Sequence, residues 1–131
     1  MKEIKKKRIL LGKMGLDAHD TGIRIVAKWL SDAGYEVVYG GLYNTAERIC
    51  ETALQEDVDV IGCSFLGGGH LFHTDRLLTQ LKEKGIEGIK IMVGGVIPPA
   101  DVVKLKERGV SLVFTPGTLR EKIIEGVKSI L

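Results

Sequence analysis

His19 sits in the run Lys13-Met14-Gly15-Leu16-Asp17-Ala18-His19-Asp20-Thr21-Gly22, after the apolar run Ile9-Leu10-Leu11 and before a helical pattern. A carboxylate stands two residues before this imidazole and an ammonium six residues before it. A histidine held by a carboxylate suits a metal ligand, because the carboxylate fixes the ring tautomer and raises the basicity of the other nitrogen. The connection is also long: a strand-to-helix turn is normally ~2–6 residues. This one is polar and punctuated by two glycines, Gly15 and Gly22.

The elements that must position these residues are legible as five short apolar runs, Arg8–Leu11, Glu36–Tyr39, Val58–Cys63, Ile89–Val93 and Leu112–Phe114. Continuous Val- and Ile-rich runs are expected of parallel strands buried on both faces. Between them lie amphipathic patterns. Ile23, Val26, Ala27 and Leu30 mark the first helix; Ala46, Ile49, Cys50, Ala53 and Leu54 mark the second. The third runs from Leu71 to Lys84, Pro98-Pro99 opens the fourth, and Thr118 caps a fifth that runs toward Leu131. Gly34, Gly85 and Gly109 close the first, third and fourth, as glycine commonly does. Strict alternation of strand and helix predicts an α/β fold, a doubly wound parallel sheet with helices on both faces. Five strands favour the flavodoxin-like order 2-1-3-4-5, with a ligand crevice between strands 1 and 3.

In such a sheet the ligand lies outside the carboxyl ends of the strands. Strand 1 leads into Lys13 to Gly22, and strand 3 into Ser64-Phe65-Leu66-Gly67-Gly68-Gly69-His70. Strand 4 leads into Gly94-Gly95-Val96-Ile97-Pro98-Pro99, and strand 5 into Thr115-Pro116-Gly117-Thr118. Glycines at one edge let a ligand approach the backbone closely, so the pattern predicts a large groove with hydroxyls and little charge. No G-x-x-x-x-G-K-[ST] loop and no G-x-G-x-x-G comes after strand 1, which excludes the common nucleotide signatures. Strand 3 ends at Ser64, where a phospho-receiver carries aspartate, and this serine lacks the G-x-S-x-G elbow of a hydrolase.

Bare zinc needs at least three protein ligands. His19, His70 and His73 are the only histidines, and a zinc site built from them with Asp17 stands as one reading. A polar loop histidine without a ligand is another. A single oriented histidine beside a glycine-lined groove fits a third: a cofactor that supplies its own equatorial nitrogens and needs one axial donor.

The totals are consistent with a small-molecule role. The 131 residues are expected to form one domain, residues 1–131, and 44% hydrophobic content allows an ordinary core. A net charge of +2 calls for neither nucleic acid nor a membrane surface, and the cluster Lys5-Lys6-Lys7-Arg8 reads as a solvated arm. Cys50 and Cys63 fit no metal motif and read as reduced core thiols of a cytoplasmic protein. No signal-peptide core and no apolar stretch of ~18 residues is present.

Lys13-x-Gly15-x-Asp17-x-His19-x-x-Gly22, then Ser64-x-Leu66, then Gly94-Gly95, resembles the cobalamin-binding domain of base-off/His-on B12 enzymes. The continuation Gly94-Gly95-Val96-Ile97-Pro98-Pro99-x-Asp101, with Phe114-x-Pro116-Gly117-Thr118, resembles more narrowly the methylmalonyl-CoA mutase family. The resemblance spans nearly the whole chain, and three motifs in order at the strand ends make it specific.

It implies adenosylcobalamin as cofactor, with His19 replacing dimethylbenzimidazole as lower axial ligand of cobalt. Asp17 is then the carboxylate bonded to that histidine, and Lys13 completes the relay. Ser64 and Leu66 line the slot for the displaced nucleotide tail; Gly94 and Gly95 lie beside it, with Thr115 and Gly117 near its far end. Gly15, Asp20, Gly22 and Gly68 complete the implied cofactor-binding set. His73 departs from the pattern, which carries an apolar residue there. The radical chemistry of the family belongs to a (β/α)₈ barrel of ~250 residues, longer than this chain. The resemblance therefore implies an isomerase small subunit, inert without a large acyl-CoA-binding partner and joined to it in a hetero-oligomer. Substrate choice among methylmalonyl-, isobutyryl-, ethylmalonyl- and 2-hydroxyisobutyryl-CoA is implied to lie in that barrel. A corrinoid carrier for methyl transfer shares D-x-H-x-x-G but typically carries an N-terminal helical bundle, whereas this chain enters its first strand almost at once.

Overall fold

A computed structural model describes residues 6–131; the start of the basic arm, Lys5 included, lies outside the described residues. Strands and helices alternate as β1 (Arg8–Met14), α1 (Thr21–Asp32), β2 (Glu36–Asn44), α2 (Ala46–Gln55), β3 (Val60–Phe65), α3 (His70–Glu83), β4 (Lys90–Gly95), α4 (Pro99–Glu107), β5 (Leu112–Phe114) and α5 (Arg120–Ile130). The five strands form one parallel sheet in the order β2-β1-β3-β4-β5, the expected flavodoxin-like topology.

The sheet is buried on both faces because alternate strand residues feed two separate clusters. Leu10, Ile61, Phe65 and Val93 pack with Ile49 and Cys50 of α2, Leu77 of α3 and Leu105 of α4. Ile9, Leu11, Val60 and Met92 pack with Ile23 and Leu30 of α1 and Ile123 and Val127 of α5. Local chemistry sets the helix ends. Thr45 Oγ1 accepts from the Arg48 N–H at the start of α2 (3.1 Å), and Pro99 opens α4.

Several boundaries differ from the sequence reading, and the differences matter for the site. Strand β1 continues through Gly12, Lys13 and Met14, so Lys13 is a buried strand residue rather than a loop residue. Likewise Ser64 belongs to β3, and Gly94 and Gly95 belong to β4. The cause is the same in each case: polar and small residues break the apolar run, yet partners in the neighbouring strand extend the pairing, as in Ser64 with Gly94 and Phe65 with Gly95. Thr118 does not cap α5; its hydroxyl donates to the Thr115 carbonyl (2.6 Å), and the helix starts after Leu119. Leu54 faces solvent instead of the core. Both cysteines are buried free thiols, as expected.

Gly95 ends β4 with φ +126°, and a Cβ there would overlap the Phe65 carbonyl of the adjacent strand. Gly94 is different, since a Cβ would lie in ordinary contact, 3.6 Å from the Phe114 carbonyl oxygen. Urea unfolding should therefore separate two neighbours that look alike in sequence. Gly95→Ala is expected to lose more than about 2 kcal/mol, because strain and steric overlap act together, whereas Gly94→Ala stays within about 0.5 kcal/mol of wild type, the usual range away from such features. Equal losses at both positions would contradict the strand geometry.

Candidate functional site

The site begins inside the sheet. Lys13 is fully buried in β1, where an unpaired ammonium would be costly. Its Nζ donates to the Ser64 carbonyl of β3 and to Asp17 Oδ2, each at 3.0 Å. Asp17, 7% exposed, is the hub. The same Oδ2 accepts the N–H groups of Leu66 (2.7 Å) and Gly67 (3.1 Å), which tie the loop after β1 to the loop after β3. Oδ1 accepts the His19 backbone N–H (3.0 Å) and lies 2.7 Å from His19 Nδ1.

Burial alone would raise the Asp17 pKa. The hydrogen bonds from the Leu66 and His19 N–H groups, the Lys13 ammonium and the His19 ring outweigh it and hold this carboxyl well below its ordinary range. An ionised carboxylate only accepts, so Nδ1 of His19 carries a proton directed at Oδ1. The His19 side chain is 73% exposed. The net result is an exposed imidazole oriented through Nδ1, with Nε2 left outside that bond.

Beside it, a cavity of about 400 Å³ opens on the sheet face covered by α1 and α5. Ser64, Gly94 and Gly95 line it from the sheet, Val26, Trp29 and Phe114 give it apolar walls, and 115–118 close the far end. Among the described residues no charged side chain lines it. The Cys63 thiol lies on the other face of the sheet, in the cluster under α2 to α4, where burial pushes it up to about 12 and keeps it neutral.

Of the residues singled out from sequence, Lys13, Asp17 and His19 form one hydrogen-bonded chain, and Gly22, Ser64, Leu66, Gly94, Gly95, Thr115 and Gly117 line the cavity. Three fall elsewhere. The Asp20 carboxylate accepts from Arg24 Nε (2.6 Å) on α1, Gly68 takes a left-handed turn before α3, and Gly15 roots the His19 loop through its N–H to the Asn44 carbonyl (3.0 Å). The three histidines do not converge. His70 Nε2 pairs with Asp101 (2.7 Å), His73 stacks on Phe65, and among the described residues no three His, Cys, Asp or Glu side chains come together to hold a metal ion.

Two contributors escaped the sequence reading. Buried Asn44 bonds through Nδ2 to the carbonyls of Lys13, Gly40 and Gly41, stapling the irregular end of β2 to β1. An asparagine after an apolar run was the only signal. His73 lies under Gly15, and its signal was an imidazole at an otherwise apolar helix position.

The flavodoxin-like sheet thus sets a carboxylate-held imidazole and an uncharged cavity at the same edge. The B12 binding domain family matches residues 7–124, and the chain belongs to that family. It is 40% identical over 124 residues to the 2-hydroxyisobutanoyl-CoA mutase small subunit of Aquincola tertiaricarbonis, covering 95% of this chain and 91% of that one. It is 43% identical over 123 residues to the pivalyl-CoA mutase small subunit of Xanthobacter autotrophicus, covering 94% and 82%. In fold it matches a cobalamin-binding protein from Desulfitobacterium hafniense with a TM-score of 0.83 at 20% identity, over 97% of this chain and 60% of that one.

The depressed Asp17 pKa has a defined consequence for stability. Its contribution is fully present above the unfolded-state value near 3.8 and is lost as pH falls below it toward the lower folded value. The difference in unfolding free energy between wild type and Asp17→Asn should therefore shrink steadily as pH falls from about 4 to about 2. A difference that stays constant over that interval would mean the carboxylate is not ionised by these bonds.

Proposed function

We propose that this chain is the cobalamin-binding small subunit of an adenosylcobalamin-dependent acyl-CoA mutase, working in the cytoplasm with a separate large subunit that binds the acyl-CoA. The observation that carries the reading is the Asp17-oriented His19, tied through Asp17 to Leu66 at the wall of an uncharged groove. The residues fit the cofactor on two counts. The His19 side chain is exposed and its Nδ1 is engaged by Asp17, which leaves Nε2 as the nitrogen that would hold cobalt. Gly94 leaves open the space that a side chain would fill in the channel for the nucleotide tail.

His19 would hold cobalt, with Asp17 orienting the ring and tuning its basicity, and Lys13 keeping Asp17 ionised. Ser64 and Thr115 would offer hydroxyls to the tail, and Leu66, Gly95 and Gly117 would shape the channel around it. When bound, the cofactor supplies a cobalt–carbon bond whose homolysis starts a radical rearrangement. The large subunit would bring the acyl-CoA to it. Likeness to two mutase small subunits over most of their lengths supports this reading over a methyl carrier.

Mixing the purified chain with cobalamin and recording the visible spectrum tests the binding step. His19→Ala should abolish the base-off, His-on spectrum. A variant with wild-type spectrum and affinity would remove His19 from cobalt. Isomerisation of an acyl-CoA on reconstitution with a large subunit tests the activity, and methyl transfer without isomerisation would favour the carrier reading.

The groove has its own test. Gly94→Val should weaken binding of full cobalamin at least about tenfold, the lower end for lost support around a metal site, while a corrinoid lacking the nucleotide tail binds variant and wild type alike. Valine suits a strand, so stability should change little. Equal affinity of both proteins for the full cofactor would contradict a buried tail.

A further inference from the structure

His73 lies one turn into α3, outside the hydrogen-bonded chain that holds His19. Its ring stacks on Phe65 (centroids 6.3 Å apart, planes at 12°) and meets Phe72 edge-on (5.1 Å, 77°). It also lies close to the backbone of two glycines. A Cβ placed on Gly15 would stand 2.6 Å from His73 Nε2, and one on Gly69 would stand 3.1 Å from Cδ2. The imidazole is thus wedged between the end of β3, the entry to α3 and the root of the loop that carries His19. Burial lowers its pKa, with the charge of Arg76 acting in the same direction, so the ring is neutral at pH 7.

Gly15 is held from two sides. Its N–H donates to the Asn44 carbonyl, and the His73 ring takes up the place a Cβ would need, with φ at +78°. Asp17 comes two residues later and His19 four. A shift at this root is therefore passed directly to the groups that set the imidazole's aim. The anchors of α3 itself lie further along, at Thr74, Leu77 and Leu81 in the core and at the Arg76–Glu47 ion pair with α2. Removing the His73 ring would leave these in place.

We infer that His73 is a positioning residue for His19: its ring is the seat under Gly15 that fixes how the loop carries Asp17 and the axial imidazole. This rests on the cobalamin reading above. Shape matters here, not acid–base chemistry, so a side chain of similar bulk should serve.

The test uses the full chain, cobalamin, visible titration and thermal unfolding of the cofactor-free protein. His73→Ala should lower cobalamin affinity about tenfold or more and reduce the His-on fraction, in the range seen for lost support around a metal ligand, with only a modest fall in unfolding temperature. His73→Leu should bind within about threefold of wild type, since volume-conserving swaps are tolerated best. Gly15→Ala should bind poorly, and adding His73→Ala to it should cost nothing further, because the new methyl occupies the vacated space and the two sites are coupled. Losses that multiply in the double variant, wild-type binding by His73→Ala, or an equal loss in His73→Leu would each overturn the inference. A wild-type chain that takes up no cobalamin would overturn this inference and the cobalamin reading together, whereas wild-type uptake with multiplied losses would overturn only the role of His73.

Discussion

The carboxylate of Asp17 accepts from five donors at once, and the site depends on that one group. Two donors come from His19, one from the Lys13 ammonium, and two from the backbone after β3. A buried carboxylate with fewer partners would give up its charge to desolvation. Here the bonds win, and the group stays ionised with its acceptor positions filled. The same bonds neutralise Lys13 inside the sheet, join the loops after β1 and β3 and fix the tautomer of His19. Charge burial, loop docking and imidazole orientation are thus one interaction seen from three sides.

The sheet supplies what Asp17 alone could not. Parallel pairing of β1 with β3 brings the two loops together at one edge, and the order β2-β1-β3-β4-β5 leaves the face beside β3 and β4 open between α1 and α5. Gly94 and Gly95 extend β4 to that edge without filling the channel. They serve it differently. Gly95 is required by the backbone, because the Phe65 carbonyl occupies the place of a Cβ, while a Cβ on Gly94 would meet only ordinary contacts at the cavity wall, so its smallness is a demand the proposed channel would make. The fold and the groove therefore place separate demands on a two-residue motif.

Much of this was legible in the sequence. Apolar runs and glycine-closed helices specified the alternating fold, and the spacing of Asp17 and His19 specified a carboxylate-held imidazole. Less legible was Lys13, whose charge suggests a loop although its Nζ is satisfied entirely by partners inside the protein. Strand pairing outruns hydrophobic patterning at Ser64, Gly94 and Gly95 for a related reason: ladder bonds need no apolar side chain. His73 was harder still. Its role depends on Gly15, 58 positions away in sequence, and no local pattern reports a ring resting under a distant glycine.

Cob(II)alamin bound to protein labelled with ¹⁵N at histidine, read by electron paramagnetic resonance, tests the central assignment most directly. The unpaired electron on cobalt couples to the axial nitrogen, so the nuclear spin of that atom identifies its source. Ligation by His19 gives the doublet splitting of ¹⁵N, and the signal reverts in the His19→Ala protein. A triplet from the unlabelled ¹⁴N of the cofactor's own base would contradict the account.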